Sequence, residues 1–176
     1  MKEFNFTTFP ELTTNRLTLR QLKPDDVKAI YNLRSSKEIN RLITRKTPKN
    51  LNDASEFITM IHKGFQNQKN VFWALILKET QQLIGTIVFH RISIDTNYAE
   101  IGYELNPTFH KKGFMNEAMS AVLDFGIYKM KFTVIEAFTH KNNSRSISLL
   151  KKHQFIFQSK RREEGFENNR IFKLKN

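Results

Sequence analysis

The sequence predicts an α/β (α+β) domain built on a mixed, mostly antiparallel sheet with helices on its faces, and three features predict it. Near the N-terminus, a segment with strand alternation, Arg16 to Leu22, runs into the helix-starting Pro24-Asp25-Asp26. In the middle, three apolar segments separated by turn-prone residues read as an antiparallel meander. After them a strand, a helix and a strand follow in that order, which implies a crossover and a parallel pair.

Taken in order, Arg16-Leu17-Thr18-Leu19-Arg20-Gln21-Leu22 alternates as a half-buried strand does, and Val27, Ile30 and Leu33 give the following helix an apolar face. A second helix is predicted after Asn52, because Ala54, Phe57, Ile58, Ile61 and Phe65 recur at three- and four-residue spacing. Between the two helices, the polar, basic segment Ile39 to Asn50 reads as a plain connector, with a substrate loop as the alternative. Val71 to Lys78, Leu83 to Arg91 and Tyr98 to Leu105 make the meander, with turns at Glu79-Thr80-Gln81 and Asp95-Thr96-Asn97. A helix from about Met115 to Lys129 carries Ala118, Met119, Val122, Leu123 and Gly126 on one face and leads to the strand Thr133 to Thr139. A short helix covers about Ser144 to Lys152. Phe155 to Arg162 and Arg170 to Leu174 read as two final strands around Glu164-Gly165-Phe166-Glu167.

With 176 residues, 39% of them hydrophobic, the chain is expected to form one domain, 1–176, around one sizeable core. No stretch approaches the roughly 20 apolar residues that span a bilayer, and Met1 to Pro10 lacks the apolar core of a secretory signal, so the expectation is a soluble cytoplasmic protein without membrane contact. The absence of cysteine excludes disulfides, thiolate-bound zinc and a cysteine acyl-enzyme. A net charge of +12 suits RNA, DNA, headgroups or a phosphorylated ligand, but the basic residues are spread over several short groups, with no long basic tail or low-complexity segment. The five histidines are scattered over separate elements without a ligand constellation, so no metal is expected. Trp73 has apolar strand neighbours and reads as core or pocket lining.

The most informative stretch runs from Asn106 to Ala118, where a basic, glycine-containing turn, His110-Lys111-Lys112-Gly113-Phe114-Met115-Asn116, joins a strand to an amphipathic helix. A helix N-terminus leaves about four N–H groups without intrahelical partners and carries roughly half a positive charge, so it favours an anion. Gly113 would let the backbone approach that anion closely. An ordinary turn is the alternative reading.

Three motifs follow one another in order: Leu12 to Arg20, Ala99-Glu100-Ile101-Gly102-Tyr103 running through Pro107 into the turn, and Asn143 to Phe155. Together they resemble the GNAT superfamily of acetyl-CoA-dependent N-acetyltransferases, and most closely its ribosomal-protein-alanine acetyltransferase-like, Rim-type branch, over about residues 12–173. The chain departs from the branch at His110-Lys111, where Trp-Gly is usual, at Gln154 in place of glycine, and at Leu150, where the wider superfamily often has a tyrosine that protonates the leaving thiolate. The resemblance implies a sheet of six to seven strands, flanked by about four helices, in which two central parallel strands splay apart. Acetyl-CoA would be the co-substrate, attacked directly by a primary amine.

By the same resemblance, Leu105, Asn106, His110, Lys111, Lys112, Gly113, Phe114, Met115, Asn116 and Asn143 would hold acetyl-CoA, with the backbone of Leu105 and Asn106 serving the pantetheine arm and the thioester oxygen. Asn143 would hydrogen-bond the pantetheine or an ordered water, although it also has the residue type of a helix cap, and Ser146 would face the co-substrate near its sulfur or phosphates. Glu100 is the first choice for the base, then Glu104, then His110 or His140, and a solvent-facing or salt-bridged strand glutamate is the alternative for Glu100. With reference pKa values of about 8 and 10.4, the neutral fraction near pH 7.5 is about a quarter for an α-amine and about a thousandth for lysine, which leans toward an α-amine without excluding other acceptors. The expected acceptor is a protein N-terminus of ribosomal type or a small-molecule amine. Ribosome association, and monomer or homodimer, stay open. Two other classes remain: a non-catalytic basic RNA- or ribosome-binding module, and an acetyl-CoA-binding member without activity.

Overall fold

A computed structural model describes residues 8–176. One eight-stranded sheet runs in the order β1-β2-β3-β4-β5-β6-β8-β7, where β1 is Leu12–Thr13, β2 Leu17–Gln21, β3 Asn70–Leu77, β4 Leu83–Ser93, β5 Tyr98–Leu105, β6 Val134–His140, β7 Ile156–Phe157 and β8 Asn169–Lys175. Among the described residues five α-helices accompany it: α1 Val27–Ser35, α2 Lys37–Asn40, α3 Leu51–Gln66, α4 Phe114–Asp124 and α5 Ser144–Lys152. All neighbouring strands are antiparallel except β5 and β6.

The sheet therefore has eight strands where six to seven were expected, and five α-helices where about four were. The additions are short. Leu12–Thr13 pairs with Leu19 and Thr18 over two residues only, and α2 is a single turn started by Ser36, whose Oγ accepts the Ile39 N–H at 3.4 Å. The strand expected over Phe155 to Arg162 shrinks to Ile156–Phe157, because Gln154 takes a left-handed φ of 63° and the chain turns away at Gln158.

Two apolar cores sandwich the sheet. On one face α1 and α3 press Ile30, Ala54, Ile58 and Ile61 onto Leu22, Phe72, Ala74 and Ile76. On the other, α4 buries Ala118, Met119 and Val122 against a cluster that contains Leu17, Trp73, Phe89, Ile101 and Ile135. Trp73 is wholly buried, meets Phe89 and Phe125 edge-on, and donates its indole N–H to Pro10 O at 2.6 Å. The helix expected as far as Lys129 is α-helical only to Asp124 and continues as a π-turn over Phe125–Lys129. Gly126 allows that turn to lie against Phe89, since a Cβ there would come within 2.7 Å of the ring.

Candidate active site

The site begins where β5 and β6 part. Their parallel pairing covers Tyr98↔Val134, Ala99↔Ile135 and Glu100↔Glu136 and then stops, although β5 runs on to Leu105 and β6 to His140. Asn106 donates its N–H to Ile84 O at 2.8 Å. In an antiparallel ladder successive residues point their backbone groups to opposite sides, so with the Gly85↔Leu105 register the N–H groups of Tyr103 and Leu105 face the gap. The last β5 N–H to face the gap is thus that of Leu105. At Asn106, expected to share that role, the N–H is already committed to β4.

Beside the gap lies a cavity of about 800 Å³, within the size range of small-ligand sites. One wall is the start of α4. Lys111 and Gly113 both adopt left-handed backbone, with φ of 61° and 81°, and no side chain caps the helix. The first-turn N–H groups are thus left for a ligand at the end of the helix dipole. Gly113, Phe114, Met115 and Asn116 line the cavity, and the Asn116 Oδ1 atom is buried there without a hydrogen-bond partner. Lys111, Arg145 and Lys152 add cationic lining. Lys112 stands apart from it: its carbonyl accepts from Arg16 Nη1 at 2.9 Å and its ammonium lies 5.4 Å from the centre of the Phe109 ring.

The facing wall is α5. Asn143 lines the cavity and also caps the helix, its Oδ1 accepting the Ser146 N–H at 3.2 Å. Ser146 Oγ lies 2.7 Å from the Tyr103 hydroxyl. Leu150 is wholly buried in the core. His110 joins the two walls: Arg145 Nη1 donates to Nδ1 at 2.8 Å, so Nε2 carries the proton and donates to Leu105 O at 3.0 Å. Both ring nitrogens are occupied, and His110 holds the Leu105 carbonyl rather than standing free as a base.

The two strand carboxylates separate at this stage. Glu104 lines the cavity and is gripped by Arg45 Nη1 at 2.6 Å, with Arg34 Nη1 at 3.7 Å. Burial pushes the Arg34 guanidinium down to about 10, against the pull of Glu104 and with the help of Arg45 beside it. Glu100 is not among the cavity-lining residues. It lies on the last paired rung of β5 and β6, opposite Glu136, held by Arg91 Nη1 at 3.1 Å and by the Tyr98 hydroxyl at 3.1 Å, which bridges to Glu136 at 3.2 Å. Arg161 covers Glu136 in turn. The salt-bridged alternative describes Glu100 here. His140, the other histidine considered, accepts the Asn142 N–H on Nδ1 at 3.1 Å.

The segment Ile39 to Asn50 is more than a connector. Ile39, Arg41, Leu42 and Ile43 line the cavity, and Arg45 anchors the loop on Glu104 while its Nε donates to Asn40 Oδ1 at 2.8 Å. The structure thus brings Leu105, Lys111, Gly113, Phe114, Met115, Asn116, Asn143 and Ser146 to one cavity, with His110 between its walls. It adds Tyr103, Arg145 and the 39–43 segment. Tyr103 and Arg145 lay inside recognised motifs, but neither local spacing nor residue type set them apart.

A strand pair that opens beside an uncapped, basic helix N-terminus defines an acyl-CoA-binding acetyltransferase fold. The chain matches the acetyltransferase (GNAT) domain family over residues 16–156. It is 31% identical over 160 residues to the uncharacterised N-acetyltransferase YoaA of Bacillus subtilis, covering 91% of this chain and 90% of that protein. In fold it is similar to the ribosomal-protein-S5-alanine acetyltransferase of Vibrio fischeri, with a TM-score of 0.83, 15% identity, and coverage of 95% of this chain and 97% of that one. It is also similar to the microcin C7 self-immunity acetyltransferase MccE in complex with acetyl-CoA and AMP, with a TM-score of 0.78, 19% identity, and coverage of 92% and 93%. The chain belongs to the GNAT acetyltransferase family. Among the described residues no helix is long and apolar enough to cross a membrane.

Proposed function

We propose that the protein transfers the acetyl group of acetyl-CoA to a primary amine, with a protein N-terminal α-amine as the leading acceptor and a small-molecule amine as the second. The observation that carries the reading is the single cavity that connects the α4 N-terminus, past the parted strands, to Glu104. Acetyl-CoA supplies the thioester. The N–H groups at Gly113–Asn116, with Lys111, Arg145 and Lys152, would hold its phosphates, and the cavity-side N–H of Leu105 would bind the thioester oxygen. Asn143, through its cap on α5, keeps Ser146 at the cavity wall.

At the acceptor end we assign to Glu104, rather than Glu100, the binding of the incoming ammonium and the acceptance of its proton, directly or through water. Glu104 lines the cavity, as Glu100 does not, and its two arginines fix its position. The greater neutral fraction of an α-amine near pH 7.5 supports the N-terminal acceptor. The net charge of +12 suits an acceptor carried on the ribosome. A cytoplasmic setting follows from this reading. Measuring free CoA released from acetyl-CoA over a panel of N-terminal peptides, lysine peptides and small amines tests it. Release stimulated by none of them, with acetyl-CoA bound, would leave a binding protein without transferase activity.

A further inference from the structure

Leu150 leaves no hydroxyl at its position to steady the sulfur that departs from the thioester. A pair of hydroxyl-bearing residues lines the cavity, which the core residue Leu150 does not. Tyr103 on β5 and Ser146 in the first turn of α5 both line it, with their oxygens 2.7 Å apart. We take Tyr103 as the donor of this bond, because a phenol is a stronger hydrogen-bond donor and a weaker acceptor than an alkanol. Burial holds the Tyr103 hydroxyl above its usual range, so Tyr103 keeps its proton.

The Ser146 rotor is then set from two sides. One lone pair is taken by Tyr103. Helical hydroxyls commonly turn back to the carbonyl four residues earlier, as Thr59 does to Ser55 O at 3.1 Å and Ser120 does to Asn116 O at 3.2 Å. Among the described residues Ser146 Oγ makes no such bond, its contact being Tyr103. Its O–H is left for the cavity.

We propose that Tyr103 is a positioning residue for acetyl transfer: by donating to Ser146 Oγ it turns the Ser146 hydroxyl proton toward the leaving thiolate, and the pair takes the place of the tyrosine absent at position 150. The inference rests on the acetyltransferase reading. The acceptor nitrogen bonds the acetyl carbon, the carbon–sulfur bond breaks with its electron pair on sulfur, and the proton shed by the nitrogen passes to Glu104 or water. Ser146 and Tyr103 keep their own protons and stabilise the sulfur anion by hydrogen bonding, so no tyrosinate forms.

The test titrates the thiol of bound CoA by thiolate ultraviolet absorbance in wild type, Tyr103→Phe, Ser146→Ala and the double variant, alongside steady-state rates and melting temperatures. A hydrogen bond to the anion lowers the pKa of the bound thiol. Tyr103→Phe should raise that pKa by about one unit and lower kcat about tenfold, with CoA affinity and melting temperature nearly unchanged. Ser146→Ala should do the same, and the double variant should lose no more than Ser146→Ala alone. A Tyr103→Phe enzyme with the wild-type thiol pKa, or losses that add in the double variant, would overturn the proposal. Wild-type protein that binds neither CoA nor acetyl-CoA would instead overturn the acetyltransferase reading itself.

Discussion

Arg16 and Glu117, 101 positions apart in the chain, close on each other at the foot of α4: Glu117 Oε1 accepts the Arg16 backbone N–H at 2.7 Å and Oε2 accepts Arg16 Nε at 2.8 Å. Thr14 Oγ1 also donates to Glu117, while Arg16 Nη1 reaches Lys112 O and the guanidinium lies 4.3 Å from the Phe114 ring centre. The N-terminal hairpin is thus clamped to the turn that would hold the phosphates. Burial alone would raise the Glu117 carboxyl, but its bonds from Thr14 and Arg16 outweigh burial and hold it below its ordinary range.

Glu117→Gln should therefore cost about 1–2 kcal/mol of stability at neutral pH and weaken acetyl-CoA binding, because the turn loses its anchor. The depressed carboxyl contributes stability that is present above its unfolded pKa of about 4.5 and is lost as pH falls through the lower folded value. Denaturant melts at pH 7 and pH 4 would show the difference between wild type and variant shrinking toward acid. A constant difference would mean that the charge is not what Glu117 supplies.

Gly113→Val should remove most of the stabilisation that acetyl-CoA gives. Ligand at about 100 times its dissociation constant should add about 2.7 kcal/mol to wild type. At a φ of 81° any side chain is strained, and a Cβ there would also come within 3.3 Å of Arg16 Nη2. Thermal shifts with and without acetyl-CoA check this, and an undiminished ligand response in a folded variant would take the turn out of the binding site.

Glu104→Gln should lower kcat at neutral pH by on the order of a hundredfold and recover part of that loss in alkali, where the acceptor is already neutral. Glu100→Gln should act on melting temperature instead, since Arg91 and Tyr98 lose the charge they hold. Parallel pH–rate profiles for Glu104→Gln and wild type, together with a rate loss in Glu100→Gln, would return the base to Glu100.

His153 and His90 set a mild acid sensitivity. Burial, then Lys152, holds the His153 imidazole below its ordinary range, and burial does the same for His90 against the pull of Glu100 and with Arg91 adding to it. The folded form resists the proton that the unfolded chain accepts near pH 6.5, so this stability is fully present above about 6.5 and drains away as pH falls below it. His153→Gln should make the fall in melting temperature between about pH 7 and pH 5 shallower.

Local pattern made most elements legible. Ser144–Lys152 was readable because Asn143 is a cap by residue type and Ile147, Leu150 and their neighbours repeat at helical spacing. Leu12–Thr13 was not, as two residues carry no period. The carboxylate assignment failed to separate for a plain reason: Glu100 and Glu104 are four apart on one strand and share a face, so alternation cannot tell them apart. What distinguishes them is where β6 diverges and where Arg45 arrives from a distant loop, and both are tertiary facts. The loop itself looked like a connector because the contact that ties it to the site, Arg45 with Glu104, lies far along the sequence.

The short β5–β6 junction also has a mechanical meaning. Strands β1 to β5, on which α4 packs through β1 and β2, and strands β6 to β8, which carry α5, share only three paired rungs within the sheet. Within the sheet they form two leaves on a narrow spine, joined besides through the core under α4 that takes in Ile135, Ala137 and Phe172, and sub-global opening along that spine is the motion that hydrogen exchange would test. A bound acetyl-CoA would touch both leaves, through Gly113–Asn116 on one and Asn143–Ser146 on the other. It should therefore slow amide hydrogen exchange in β8, a strand outside the cavity lining, by latching the leaves together. Slowing confined to the cavity walls would show that the spine does not open.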